Sequence, residues 1–309
     1  YYTYIQHAPQ LLPGYMTAGL YVHAGCSAFN DPARTRPHFK SAQSYASRRT
    51  GAWKRFVATP KRYGGRTIDE VFEGELWALA RNVVYPCSEH FFEIASPRKK
   101  PLATERRFRV QIGPYIFTGA FDAIDPGLRY LDYKTSSKER ELGERELHDD
   151  YQFTIYSAVL PILVAHDTRL KDEMKLTQGQ RTALHENPLA LMEDVRGELV
   201  HLRTGKSYEV RRKPHDFLEM LNTIDAAALR IEQGDFSHSR GFHCHSCLVR
   251  EQCDRDTLDG RILIRTDAVN NGEGVLLYPP RQELRVFTSL PEPVRVLDDC
   301  KKMKPSHKH

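Results

Sequence analysis

Two aspartates and a lysine lie close together near the middle of the chain. Asp132 and Lys134 are two residues apart, so on a β-strand their side chains point to the same face. Asp122 lies near the end of the preceding strand and can meet Asp132 across the pair. Converging carboxylates repel unless a cation lies between them, and hard oxygen ligands suit Mg²⁺ or Mn²⁺. A lysine beside that ion can orient water or stabilise charge developing on a phosphate.

A hairpin and a third strand must position these three residues. Apolar and polar residues alternate over residues 107–112, which is the period of a strand, and Gly113-Pro114 predicts a turn. Residues 115–124 are rich in aromatic and β-branched side chains and predict the returning strand. Asp125-Pro126-Gly127 predicts the next turn, since these residue types favour turns, and residues 128–133 a third strand.

A helix is predicted after these strands, over residues 151–165. Gln152 and Tyr156 are four residues apart, so both lie on one face of it. Glu105 stands at the start of the hairpin. It either lies near the metal site or pairs with one of its neighbours, Arg106 and Arg107.

These residues, in this order, resemble the PD-(D/E)XK nuclease superfamily. Gly119-x-Phe-Asp122, then Asp132-Tyr-Lys134, then Gln152-x-x-x-Tyr156 are similar to its RecB/AddB-type exonuclease branch. The resemblance covers roughly residues 15–255. It implies an α/β fold with a restriction-endonuclease-like core, in which a mixed central β-sheet is flanked by helices and the catalytic hairpin lies at one edge.

The same resemblance implies a role for each of these residues. A helix over residues 15–29 carries Gly19-x-x-x-His23, and His23 is the candidate third protein side chain on the metal. The expected ligands of Mg²⁺ or Mn²⁺ are His23, Asp122, Asp132 and the carbonyl of Tyr133. Lys134 is expected to orient the attacking water, and Gln152 and Tyr156 to position substrate.

Three cysteines are clustered near the C-terminus, as Cys244-x2-Cys247-x5-Cys253. This triplet resembles the one that, with a distant fourth cysteine, holds a [4Fe–4S] cluster in AddB-type nucleases and clasps the two ends of the domain. The chain starts at Tyr1 without a methionine, so the fourth ligand is expected upstream of residue 1. Two alternatives stay open: Cys26 serves, or His243 or His245 completes a zinc site.

Composition is compatible with a DNA-binding protein and argues against a membrane protein. The 309 residues carry a formal net charge of +5, and 28% are charged. No apolar run is long enough to span a membrane, and clustered cysteines point to a reducing cytoplasm rather than a secreted disulfide framework. Residues 30–66 are basic and either line a path for the phosphate backbone or form a solvated surface. Trp53, Phe56 and Tyr63 within them either stack on single-stranded bases or belong to the core.

Several further elements are predicted from local patterns. Cys87 is expected in a loop after Pro86, as a thiol that is not a cluster ligand. The other expectations are a helix opened by the capping box at residues 67–70, a hairpin over residues 198–211 and a helix over residues 214–233.

Together these features predict a nuclease domain over residues 1–255, including the triplet at 244–253, and an extension of unknown role with a basic tail over residues 256–309. The expected activity is metal-dependent hydrolysis of DNA phosphodiesters, by an exonuclease acting on DNA ends or single strands in repair, recombination or mobile-element processing. The alternative is an inactive DNA-binding or recombination subunit with a structural cluster. No Walker A sequence is present, so a helicase partner would be a separate chain.

Overall fold

A computed structural model describes residues 14–58, 75–136, 150–233, 250, 287, 289, 291 and 294–297. The chain divides into two compact units. One consists of Pro13–Phe217 and Leu290–His309, and the other of Tyr1–Leu12 and Leu218–Ser289. The residues of the candidate site that the structure describes all belong to the first of these units.

The described secondary structure alternates between helical and strand segments. The helices are α1 (Gly14–Asn30), α2 (Ala42–Ala58), α3 (Glu75–Leu79), α4 (Tyr85–Ala95), α5 (Tyr151–His166), α6 (Thr168–Glu173), α7 (Gln178–Glu186) and α8 (Pro214–Glu232), with a π-helical turn over Ala80–Val84 and a 3₁₀ turn over Pro188–Asp194. The strands are β1 (Ala103–Ile112), β2 (Tyr115–Asp125), β3 (Arg129–Lys134), β4 (Arg196–His201), β5 (Lys206–Val210) and β6 (Val294–Val296).

The strands form a mixed sheet in the order β5-β4-β3-β2-β1-β6. Neighbouring strands are antiparallel except β3 and β4, which are parallel and joined through α5 to α7. This confirms the mixed sheet. The expectation that the catalytic hairpin lies at one edge is wrong, because β4 and β5 extend the sheet beyond β3 and β6 adds a strand beyond β1.

One face of the sheet packs against α1, α2 and α4. Leu131 and Tyr133 of β3 share a buried cluster with apolar residues of these helices. Trp53 of α2 is fully buried in this cluster, and its indole N–H donates to the carbonyl of Leu76 at 3.0 Å. Of the two interpretations of Trp53, the core one is therefore confirmed.

The opposite face packs against α5, whose residues from Phe153 to Val164 are buried except for the half-buried Ile155. Asp150 caps this helix, since its side chain accepts a hydrogen bond from the backbone N–H of Gln152 at 2.9 Å. Tyr130 of β3 is buried against the helix, and its hydroxyl donates to the carbonyl of Phe153 at 3.2 Å. The predicted helix over 151–165 is thus present, and its first turn is fixed to the sheet.

The expectation for Cys87 is wrong in its secondary structure. Cys87 lies within α4, not in a loop, and is fully buried. Pro86 misleads because it occupies one of the first positions of the helix, where its missing N–H breaks no hydrogen bond. Burial raises the pKa of the Cys87 thiol to about 12, so it is an inert core thiol.

Gly197 offers a test of the contact between β3 and β4. It pairs with Tyr130, and a methyl group at Gly197 would lie 2.5 Å from the Tyr130 hydroxyl, which is already held by α5. We expect Gly197→Ala to lower the free energy of unfolding by about 1–3 kcal/mol, the usual cost of overpacking. Urea unfolding followed by circular dichroism measures this difference.

The matched control is Gly179→Ala in α7, where an added methyl meets no other atom within 4 Å among the described residues. That change should stabilise the protein by about 0.4–1 kcal/mol, since it restricts the unfolded chain. Equal stability of the two variants would contradict the described packing of Tyr130 on β4.

Candidate active site

The β2–β3 ladder ends where the acidic residues begin. Its pairs are Asp125 with Arg129, Ile124 with Tyr130, and Ala123 with Leu131. The next position along would oppose Asp122 and Asp132, but the backbone N–H of Tyr133 donates instead to Oδ2 of Asp122 at 2.6 Å. A side-chain carboxylate therefore takes the place of a ladder carbonyl, and the two aspartates lie just past the end of the paired segment.

Strand β2 loses its regular alternation at Asp122. The ring of Phe121 lies 4.6 Å from that of Tyr156 in α5, whereas Ala123 belongs to the cluster on the α1 side. Residues two apart on a regular strand face the same side, so the backbone is irregular between them. This irregularity allows Oδ1 of Asp122 to meet Nδ1 of His23 in α1 at 3.2 Å.

Helix α1 approaches the end of β3 closely, and a glycine makes this approach possible. A methyl group at Gly19 would lie 2.8 Å from Oγ1 of Thr135, the residue after Lys134. Gly19 stands one helical turn before His23, so both side-chain positions lie on the face directed at the sheet. The Gly-x-x-x-His spacing thus has a physical reason: the small residue lets the histidine reach Asp122.

Four polar side chains form a connected network beside Asp122. Nζ of Lys134 lies 2.8 Å from Oδ2 of Asp132 and donates to Oε1 of Gln152 at 2.6 Å. The amide nitrogen of Gln152 donates to Oδ1 of Asp132 at 2.7 Å and to the hydroxyl of Tyr156 at 3.0 Å. Tyr156 in turn donates to the carbonyl of Ala120 at 2.6 Å. Each polar group of Gln152 is therefore engaged, and its orientation is fixed.

The protonation of the site reflects burial and crowded negative charge. Burial raises the pKa of Asp132 to about 6, Lys134 opposes this shift, and Asp122 adds to it. Burial alone would lower the pKa of His23, but the hydrogen bond to Asp122 and the charges of Asp122, Asp132 and Glu105 outweigh it and raise that pKa. Glu105 as a whole is exposed, but its carboxylate is partly desolvated, and this together with the charge of Asp122 raises its pKa. The arrangement favours a positive charge among these groups.

The residues present fit a hard divalent cation. Ligand atoms of His23, Glu105 and Asp122 all lie within 4.8 Å of one another. Oδ2 of Asp132 is buried and accepts no hydrogen bond from the residues that the structure describes, because its contact with Lys134 is an ion pair without hydrogen-bond geometry. Imidazole and carboxylate donors around an underused buried oxygen suit a divalent metal cation.

The sequence matches the family model of the PD-(D/E)XK nuclease superfamily over residues 1–254. The chain belongs to this superfamily. Membership implies a metal-dependent nuclease with a DNA substrate, and the mixed sheet flanked by helices agrees with its fold. No curated protein and no solved structure matches the sequence significantly. None of the described helices is long and apolar enough to cross a membrane.

The structure brings together the side chains that were predicted from the sequence. His23 contacts Asp122. A separate network of hydrogen bonds and an ion pair joins Asp132, Lys134, Gln152 and Tyr156. Tyr133 contacts Asp122 through its backbone N–H, and a role for its carbonyl stays a prediction. Cys244, Cys247 and Cys253 lie outside the described residues. Cys26 is buried in the core, and burial raises its thiol pKa well above the usual value.

Two features of the nuclease were underestimated from sequence. Glu105 joins the group around Asp122. Counting eight residues outwards from Gly113 on one side and from Pro114 on the other would have placed it opposite Asp122. The side chain of His201, at the end of β4, shares a hydrogen bond of 2.9 Å with the hydroxyl of Ser136. Ser136 lies two residues after Lys134 along the chain. No local sequence pattern signals that contact, because it depends on the parallel register of β3 and β4.

The contact between His23 and Asp122 predicts a pKa that can be measured in the metal-free nuclease. We expect the pKa of His23, followed by NMR in the presence of a chelator, to lie above its ordinary 6.5. In Asp122→Asn the hydrogen-bonded charge is gone, burial dominates, and the pKa should fall. Since the folded pKa exceeds the unfolded one, protonated His23 stabilises the metal-free fold fully below pH 6.5, and this contribution is lost as the pH rises through the folded pKa.

His201 is an internal control for the same titration. Burial and the charge of Arg203 lower its pKa below 6.5, and it should titrate identically in both proteins. An unchanged His23 pKa in Asp122→Asn would contradict the described geometry.

Proposed function

We propose that this chain is a Mg²⁺- or Mn²⁺-dependent deoxyribonuclease that hydrolyses phosphodiesters at Asp122, Asp132 and Lys134, and that it acts as an exonuclease on DNA ends or single strands. The observation that carries the proposal is the position of Asp122. One of its oxygens faces His23 and the other holds the backbone of Tyr133. Asp132 and Lys134 follow at the end of the same ladder.

The ligands proposed for the cation are His23, Asp122, Asp132 and the carbonyl of Tyr133. A divalent cation at such a site supplies Lewis-acid polarisation of a phosphoryl oxygen and a more acidic bound water. Asp132 must be deprotonated and His23 neutral to serve as ligands, so cation binding releases protons and weakens as the pH falls. The pKa of Asp132, about 6, places this loss in the mildly acidic range.

Lys134 is the group best placed to act on the reacting phosphate. Its ammonium is held between Oδ2 of Asp132 and Oε1 of Gln152, at 2.8 and 2.6 Å. Because the ammonium of Lys134 is already held in place, it need not reorganise when negative charge develops on a phosphate. Preorganised charged groups accelerate reactions in this way. We propose that Lys134 orients the attacking water and stabilises this charge.

Gln152 and Tyr156 hold Asp132 and Lys134 in position and do not themselves act as an acid or a base. Gln152 links Asp132, Lys134 and Tyr156, and Tyr156 anchors the chain of hydrogen bonds to the backbone of β2. Burial raises the pKa of the Tyr156 hydroxyl, so it is a neutral donor at physiological pH. Loss of either side chain would leave Lys134 less constrained.

A nuclease assay with matched variants tests the proposal. Purified protein is incubated with Mn²⁺ or Mg²⁺ and with linear single-stranded, linear duplex and circular DNA. We expect metal-dependent loss of the linear DNA, with sparing of circles as the sign of an exonuclease. Lys134→Ala should lower the rate by about 10²–10³-fold, as loss of one preorganised charge-stabilising donor does, and Asp122→Ala by at least as much.

The control variants for this assay are Lys171→Ala and Asp172→Ala in α6, which change the same residue types outside the site. They should degrade DNA at the wild-type rate. A folded wild type that binds DNA and degrades none of the three substrates would overturn the catalytic proposal and favour an inactive DNA-binding or recombination subunit.

We further propose that Cys244, Cys247 and Cys253 hold a [4Fe–4S] cluster, with a fourth ligand from outside the triplet. The support is their x2 and x5 spacing, which is typical of metal-binding thiolates and not of a secreted disulfide framework. The alternative is a zinc site completed by His243 or His245. A role beside a separate helicase or recombination partner, in repair, recombination or mobile-element processing, is compatible with either metal.

Metal content tests the cluster. We expect anaerobically purified protein to be brown and to contain about four iron atoms per chain, as a [4Fe–4S] cluster requires. Cys247→Ser should lose the iron and the colour, whereas Ser246→Ala, one residue away, should keep both. Zinc without iron in the wild type would contradict the cluster and support the histidine-completed site.

A further inference from the structure

Glu105 occupies a position on β1 that the register places directly opposite Asp122. The pairs on either side are Thr104 with Ala123 and Arg106 with Phe121. Between them, Glu105 and Asp122 are the two residues that the ladder leaves unpaired. The irregularity of β2 at Asp122 therefore has a counterpart at the same level of β1.

The backbone of Glu105 is strained. Its φ is +47°, in the left-handed region, where a residue with a Cβ is rarely found and glycine would be favoured. A glutamate that keeps such a conformation inside a strand is over-determined by its surroundings, and such residues cluster at functional sites. The strained backbone of Glu105 accompanies a specific side-chain position: a carboxylate oxygen of Glu105 lies within 4.8 Å of ligand atoms of both His23 and Asp122.

Of the two neighbouring arginines, Arg106 does not hold Glu105. Arg106 donates to Asp167, at the end of α5, at 2.7 Å. A carboxylate oxygen of Glu105 instead lies within 4.8 Å of ligand atoms of Asp122 and His23. Two carboxylates and an imidazole at this spacing are stable together only with a positive charge among them.

We infer that Glu105 is a ligand of the divalent cation, on the β1 side of Asp122 and together with His23. The inference rests on the proposed function, because it adds a residue to the same cation site. Asp132 lies on the β3 side, where Lys134 and Gln152 hold its oxygens. Glu105 is exposed, so solvent reaches its side of the site, and coordination positions there stay open to water or a phosphate oxygen.

Direct measurement of Mn²⁺ binding tests the inference without any assay of activity. Mn²⁺ is titrated into the full chain in the absence of DNA, and bound ion is followed by electron paramagnetic resonance or calorimetry. Glu105→Gln should weaken Mn²⁺ binding at least about 10-fold, since loss of even an outer-shell partner costs 10–100-fold. Glu173→Gln in α6 is the matched control and should bind as the wild type does.

Glu105→Gly separates a ligand from a structural residue. Glycine removes the carboxylate but suits the left-handed backbone, so the variant should have an equal or higher Tm in chelator while its Mn²⁺ affinity falls. A structural Glu105 would give the reverse, a lower Tm with unchanged affinity. That reverse result, or Mn²⁺ binding by Glu105→Gln within twofold of wild type, overturns the inference.

The outcomes distinguish this inference from the proposed function. DNA cleavage by the wild type with unchanged Mn²⁺ affinity in Glu105→Gln would overturn the ligand and leave the nuclease intact. Weakened Mn²⁺ binding in a protein that cleaves no DNA would support the ligand and overturn the nuclease. A wild type that binds no Mn²⁺ overturns both.

Discussion

The site depends on one carboxylate that is hydrogen-bonded on both sides. Oδ2 of Asp122 replaces a ladder carbonyl for the N–H of Tyr133, and Oδ1 meets His23. A carboxylate that accepts a backbone N–H is fixed to the strand and cannot rotate to avoid neighbouring charge. The adjacent acidic groups must therefore be stabilised by something else, and Lys134 does this on one side and His23 on the other.

That constraint explains the arrangement of the surrounding elements. The ladder between β2 and β3 must end at Asp122, because otherwise the N–H of Tyr133 would be taken by a ladder carbonyl and could not bind the Asp122 carboxylate. Helix α1 must come close to the end of β3, which Gly19 allows. Helix α5 must present Gln152 in its first turn, which the cap by Asp150 fixes. Each of these is a local feature, and together they place groups from four elements around one short stretch of backbone.

Local chemistry made much of this predictable from the sequence. The turn at Gly113-Pro114, the alternation along β1 and the two-residue spacing of Asp132 and Lys134 indicate the strands, and these elements are present. The family resemblance supplied the roles of His23 and Gln152, which spacing alone would not have done. Cys87 shows the opposite case, because a proline can open a helix as well as break one, and only the packing of α4 decides which.

Long-range features were not predictable in the same way. The central position of β2 and β3 depends on which strands add at each edge, and no local pattern encodes that. The strained backbone of Glu105 was also invisible, since nothing in Thr104-Glu105-Arg106 favours a left-handed conformation. Tertiary contacts override local preference there, which is expected where a site imposes its own geometry.

The edge strand β6 has a consequence for how this chain can be shortened. Val294–Val296 pairs with Val110–Ile112 of β1, although it lies some forty residues past the last position that the family model covers. A chain cut at that position would expose the outer backbone groups of β1 to other molecules. Bare strand edges of this kind recruit further strands and promote aggregation. Solubility would therefore be lost from a fragment that still contains every proposed catalytic side chain.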